Sequence, residues 1–147
     1  MPRVAPKRAV IAAIIALGLF VIVFGQSILF HLFPSFAFRQ LTGRPLPPGV
    51  RVVAYASEMN DNLFRSTYYW RLDHGPDGFT SLQQGAAFHT YSDDVSGYIG
   101  RVREALAPDL RDEDVSDIRQ WGRSGQRSQL ILQRRGGSVS YYVLSTI

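Results

Sequence analysis

The stretch FRSTYYWRL, residues 64–72, carries the clearest structural signal in this sequence. Its side chains alternate between an aromatic or apolar side and a more polar side, and alternation with a period of two predicts a β-strand. The two sides consist of Phe64, Ser66, Tyr68, Trp70 and Leu72 on one, and Arg65, Thr67, Tyr69 and Arg71 on the other. We expect Trp70 to point into a core.

The opposite side of this strand is a candidate interaction surface. If Trp70 points inward, then Arg65, Tyr69 and Arg71 share the outward side. Tyrosine and arginine are both enriched at protein interfaces. The alternative is that Tyr69 is an ordinary strand residue whose hydroxyl group reaches water.

Four further segments have strand-like composition, and two segments between them are helical. The strand segments are Val50–Glu58, Ile118–Arg123, Ser128–Arg134 and Val139–Thr146. The first helical segment is the short stretch Phe79–Gln84, and the longer one has apolar residues spaced 4, 3 and 4 apart, at Val95, Ile99, Val102 and Leu106. This order predicts an α+β domain with a mainly antiparallel sheet of about five strands and one or two helices on one face.

An apolar segment precedes this domain. Residues 9–33 hold only three polar side chains, those of Gln26, Ser27 and His31. As a helix, 25 residues reach roughly 37 Å, which is enough to cross a hydrocarbon core of about 30 Å. The segment is longer than the apolar part of a signal peptide, so we predict a retained transmembrane helix, with cleavage as the alternative.

This helix contains two sets of residues with a possible role. Small residues let another helix approach closely in a membrane, and the predicted packing residues are Ala9, Ala12, Ala13, Ala16 and Gly18. Alternatively, alanine is simply common in such helices. His31 is a candidate metal or haem ligand or an ordinary polar contact, and no cofactor is predicted.

The charge is distributed unevenly along the chain, and this distribution argues against nucleic acid as a partner. Residues 1–8 form a basic tail that predicts a cytoplasmic N-terminus and an extracytoplasmic domain. Five of the 16 basic residues lie in the first 44 positions, which contain no acidic residue. The remaining positions contain the other 11 basic residues and all 12 acidic residues, so that part of the chain is nearly neutral. The basic flanks therefore fit lipid head groups, and nucleic acid is not predicted as a partner. Residues 34–49 are predicted to be a juxtamembrane segment and a proline-rich linker, in which Pro45, Pro47 and Pro48 favour a short extended spacer, before a domain at 50–147.

Known catalytic and phosphate-binding motifs are absent from the sequence. The segments Asp73–Asp77 and Asp109–Asp117 contain clustered acids, which are more typical of solvated turns than of metal sites. The leading hypothesis is a non-catalytic single-pass subunit that acts in accessory, structural or assembly roles beside other integral membrane proteins, as in a respiratory or photosynthetic complex. The alternative is a membrane-tethered extracytoplasmic module that binds a small molecule or an envelope component.

Overall fold

The computed structural model describes residues 7–59, 65–91, 95–122 and 127–146. The chain divides into two compact units, Met1–Phe33 and Pro34–Ile147. Phe64 and most of the basic tail at 1–8 lie outside the described residues.

The first unit contains one long helix, α1, at Lys7–Leu32. Its end agrees with the predicted stop before Pro34, because the residue that precedes a proline is disfavoured in the helical region. Within the described residues, no single straight helix has both the length and the hydropathy needed to cross a membrane. The segments Ala9–Ile22 and Phe24–Leu32, which meet at 46°, satisfy both requirements together.

The second unit is built on a six-stranded antiparallel sheet, which confirms the predicted α+β class. The strands are β1 (Arg51–Met59), β2 (Ser66–Asp73), β3 (His89–Thr90), β4 (Val115–Trp121), β5 (Ser128–Arg134) and β6 (Val139–Thr146). Their order across the sheet is β1-β2-β6-β5-β4-β3. Each long strand overlaps a predicted segment, although β4 begins at Val115 and not at the predicted Ile118, whereas the two-residue β3 carries too short a pattern to be predicted.

Among the described residues, three α-helices accompany the sheet, together with a short 3-10 helix at Asp112–Asp114. The α-helices are α2 (Pro34–Thr42), α3 (Gly78–Gln83) and α4 (Ser96–Ala105). Helix α2 occupies the first part of the predicted juxtamembrane segment, for which the sequence did not predict a helix. Pro34 ends α1 and also occupies the first position of α2, where its missing N–H group and fixed φ angle suit a helix start.

Helix α2 ends at a well-formed cap. The Thr42 hydroxyl group donates a hydrogen bond to Phe38 O at 2.7 Å. Gly43 has a φ of 73°, and its N–H donates to Arg39 O at 3.0 Å. A glycine in this left-handed conformation is the common way to end a helix, so α2 is a complete element of the folded unit.

The helices cover both faces of the sheet, not one. On one face, α4 contributes Ile99 and Val102 to a core with Tyr69, Leu132 and other strand residues. On the other face, Phe38 of α2 packs edge-on against Trp70, with ring centroids 5.4 Å apart. The prediction of helices on one face is therefore wrong, because strands such as β2 and β6 are apolar on both sides and need cover on both.

Candidate functional site

The predicted interaction surface on β2 is a buried face. Tyr69 is only 1% exposed, and its hydroxyl group donates a hydrogen bond to Glu58 Oε2 at 2.9 Å. Arg65 is exposed and Arg71 is half-buried. The prediction that Arg65, Tyr69 and Arg71 form an exposed interaction surface is therefore wrong for Tyr69, because helix α4 covers the face of the sheet that holds it.

The predicted packing residues of α1 are all exposed, but they do not form one face. Ala9, Ala12, Ala13 and Ala16 are spaced as neighbours along one side of a helix. Gly18 lies nine positions after Ala9, and at about 3.6 residues per turn it falls on the opposite side. Nothing lies within 4 Å of the position that a Cβ atom would take at Gly18.

His31 makes a contact within its own helix. Its Nδ1 atom lies 2.9 Å from Ser27 O, one helical turn earlier. This contact explains how a histidine is accommodated on an apolar helix, and the role of His31 as a cofactor ligand stays a prediction.

A histidine and a serine meet below a polar niche of about 290 Å³, which Arg51, Asp73 and His74 help to line. His74 Nε2 lies 2.7 Å from Ser140 Oγ, and His74 Nδ1 lies 2.7 Å from Gly75 O. A serine beside a histidine is the arrangement of a nucleophile and its base. Ser140 is fully buried, however, so its hydroxyl group has no path to a substrate in this conformation.

The acidic segment is neutralised by arginines. Asp112 lies 2.6 Å from Arg103, and Asp109 lies 3.0 Å from Arg134. The hydrogen bond from Arg134 lowers the pKa of Asp109 below its ordinary value. Among the described residues, no three His, Asp or Glu side chains come together as a metal site.

One feature that the sequence did not predict is a groove of about 340 Å³ beside α2 and α3, which we call the Arg44 groove. Phe38 and Leu82 are almost fully buried and form its floor. Its lining consists of Phe38, Arg44, Pro45, Leu46, Pro47, Pro48, Ser81, Leu82, Gln84 and Gly85. Most of these side chains are apolar, and Arg44 is the only charged one.

Arg44 is held in place by three acceptors from distant parts of the chain. Its Nη1 atom donates to Gln84 O at 2.8 Å and to Leu82 O at 3.3 Å. Its Nη2 atom donates to the Tyr142 hydroxyl group at 2.7 Å. The guanidinium carbon also lies 5.4 Å from the centre of the Phe88 ring, within the range of a cation–π contact.

Tyr142 connects Arg44 to the centre of the sheet. It is fully buried on β6, and its hydroxyl group donates to Gln129 Oε1 on β5. Burial raises the pKa of Tyr142 to about 12, and the positive charge of Arg44 limits this rise. The phenol therefore stays neutral at physiological pH, and the charge of Arg44 is not cancelled by it.

The sequence does not reveal this site, because Arg44 has the pattern of a basic residue that flanks the apolar segment. The single local signal is an arginine directly after a helix cap and before a proline-rich turn, in TGRPLPP at 42–48. The carbonyl groups that hold Arg44 lie about 40 residues further along the chain. No pattern within a short window can bring these groups together.

No family model matches this chain, and the searches of curated proteins and of solved structures find no match. The function is therefore argued from the residues of the chain itself.

Proposed function

We propose that this chain is a membrane-anchored, non-catalytic subunit that docks beside another integral membrane protein in an accessory, structural or assembly role. The observation that carries the proposal is the exposure of α1. Its large apolar side chains are exposed by 40% or more at Val10, Ile11, Ile14, Ile15, Leu17, Leu19, Phe20, Val21, Ile22, Phe24, Ile28, Leu29 and Leu32. An apolar surface of this extent requires lipid or protein around it.

The chain between the two units is too short for a long tether. Only Phe33 separates the end of α1 from the first residue of α2. A domain joined so closely to an anchor would work next to the bilayer, and this supports a partner in the same membrane. The basic residues near the N-terminus support a cytoplasmic tail and an extracytoplasmic domain.

Cysteine labelling tests the topology directly, because the chain contains no cysteine of its own. We would introduce Pro2→Cys in the tail and, separately, Ser138→Cys at an exposed position of the folded unit. A membrane-impermeant maleimide applied to intact cells should label Ser138→Cys only, and Pro2→Cys should react after permeabilisation. Labelling of both variants in intact cells, or of neither, would contradict the proposed topology.

Gentle extraction from the native membrane tests the docking role. The tagged full-length chain should remain in the membrane pellet after an alkaline wash and, once solubilised, should co-purify in fixed stoichiometry with another integral membrane protein. A chain that is released by the wash contradicts the anchor. A chain that stays in the membrane but runs alone at its own mass contradicts the accessory role only.

A membrane-tethered module that binds a small molecule is the second candidate function. The observation in its favour is the Arg44 groove, since ligand sites are mostly apolar concavities of about 300–1,000 Å³ with a few polar groups.

A further inference from the structure

The Arg44 groove contains a positive charge that no carboxylate neutralises. Within the described part of the chain, the four ion pairs involve Arg103, Arg111, Arg119 and Arg134, and Arg44 is in none of them. The acceptors of Arg44 are two carbonyl groups and a hydroxyl group, all of which are neutral. A half-buried charge costs free energy unless an opposite charge compensates it.

The guanidinium group also has unused donor capacity. Arginine carries five N–H donors, and three contacts account for the donors in use on Arg44. Its Nε atom is buried and has no acceptor among the described residues. Buried polar groups are nearly always hydrogen-bonded, so the described residues leave part of the hydrogen-bonding capacity of Arg44 unfilled.

The remainder of the groove suits a short apolar chain. Phe38 and Leu82 form a buried floor, and Pro45, Leu46 and Pro47 contribute to the walls. Prolines add apolar surface whose conformation is already fixed, so little entropy is lost on binding. The volume lies near the lower limit for ligand sites, and this restricts the occupant to a small molecule.

We propose that the Arg44 groove binds a small anionic amphiphile, with its carboxylate or phosphate head on Arg44 and its short alkyl tail on Phe38 and Leu82. Guanidinium groups pair with carboxylate and phosphate alike, in two parallel hydrogen bonds where the geometry allows. This inference gives a chemical class to the second candidate function and rests on it. It does not depend on the accessory role.

The probes are octanoate, octyl phosphate and octanol, which share one alkyl chain and differ in the head group. Binding would be measured by equilibrium dialysis of the full-length chain in micelles of an uncharged maltoside detergent. Protein-free micelles give the background for partition into detergent. Inorganic phosphate, offered as a competitor, tests whether the head group alone is enough.

Three variants test whether the probes bind in the Arg44 groove or elsewhere. Arg44→Gln removes the charge, and Ser81→Phe fills the groove from α3 while leaving Arg44 in place. Arg39→Gln is the matched control, because it removes the same charge from an exposed position on α2 that does not line the groove. Tryptophan fluorescence tests whether each variant is folded. If Arg44→Gln unfolds, the binding measured for Ser81→Phe tests the proposal instead.

We expect one anion bound per chain, at least tenfold weaker binding of octanol, and a tenfold or larger loss in Arg44→Gln and in Ser81→Phe. Arg39→Gln should bind as the parent does. Preference for octanoate assigns a carboxylate head, and preference for octyl phosphate assigns a phosphate head such as that of a lipid. Equal binding of octanol, undiminished binding in folded Ser81→Phe, or no anion retained above the micelle background overturns the proposal. None of these results changes the outcome of the labelling or extraction experiments.

Discussion

Trp70 is the largest fully buried side chain in the described part of the chain. It is fully buried, and its indole N–H donates to Pro34 O at 3.1 Å, which fixes the start of α2. Its ring also packs against Phe38 and, with centroids 6.1 Å apart, against Tyr142. One side chain on β2 therefore positions both α2 and the residue that holds Arg44.

Substitution of Trp70 by alanine should lower the free energy of unfolding by about 3–5 kcal/mol, because it removes a large buried ring and leaves a cavity. Trp121→Ala is the matched control, since Trp121 is 37% exposed at the end of β4. We expect it to cost about 1 kcal/mol or less. Urea unfolding followed by circular dichroism measures both values, and equal losses would contradict the assignment of Trp70 to the core.

Tyr142 should make the unfolding free energy depend on pH in alkaline solution. Its pKa is raised from 10.0 to about 12 in the folded chain, so the folded state keeps the phenolic proton over a range where the unfolded state releases it. The stabilisation is complete below pH 10 and is lost as the pH rises toward 12. The loss amounts to about 3 kcal/mol at most.

The measurement compares urea unfolding at pH 8 and at about pH 11 for the parent and for Tyr142→Phe. The variant starts from lower stability because Arg44 and Gln129 lose a partner. It should nevertheless lose less stability than the parent between the two pH values. An identical pH dependence in the two proteins would show that Tyr142 does not titrate in this way.

At the scale of elements, α2 marks the limit of what local patterns reveal. The alternation in β2 and the 4-3-4 spacing in α4 are short-range signals, and they predicted those elements correctly. The prolines at 34 and 45–48 are equally visible, but proline both ends and begins helices. Only the contact of Phe38 with Trp70, over thirty residues away, distinguishes a packed helix from a linker.

The burial of Tyr69 has a similar cause. Alternation correctly placed Tyr69 opposite Trp70, but it does not state whether a second layer covers that face. Tyr69 packs with Ile99 and Val102 of α4, and burial raises its pKa above the ordinary value. The Arg44 groove was likewise beyond local patterns, since its walls come from two separate segments of the chain.

Two substitutions in helix α1 test which side of the helix packs against a partner helix. This prediction rests on the proposed accessory role. Ala13→Leu enlarges the side that holds the four alanines, and Gly18→Leu enlarges the opposite side. If the alanine side packs against a partner helix, Ala13→Leu should reduce co-purification severalfold, and Gly18→Leu should leave it unchanged. Both variants should remain in the membrane after an alkaline wash. Equal co-purification of both variants with the parent would remove the alanine side from the proposal.

At the scale of the whole molecule, two features point to different partners. The exposed apolar length of α1 requires an apolar surrounding. The Arg44 groove offers a positive charge above an apolar floor. If both proposals hold, the chain would remain attached to the bilayer while its folded unit binds small anionic amphiphiles.

The order of strands also determines when the sheet can form during synthesis. The pairs β1–β2 and β4–β5 are each close in sequence, but β6 lies between β2 and β5 and joins the two pairs. Ser66 on β2 pairs with Thr146 on β6, so the ribosome must translate about 80 further residues before this contact can form. Until then, the edge of β2 that receives β6 is unpaired, and an unpaired strand edge is prone to aggregation. The nascent chain would therefore depend on rapid insertion of β6 once it is made, or on a chaperone that covers that edge until then.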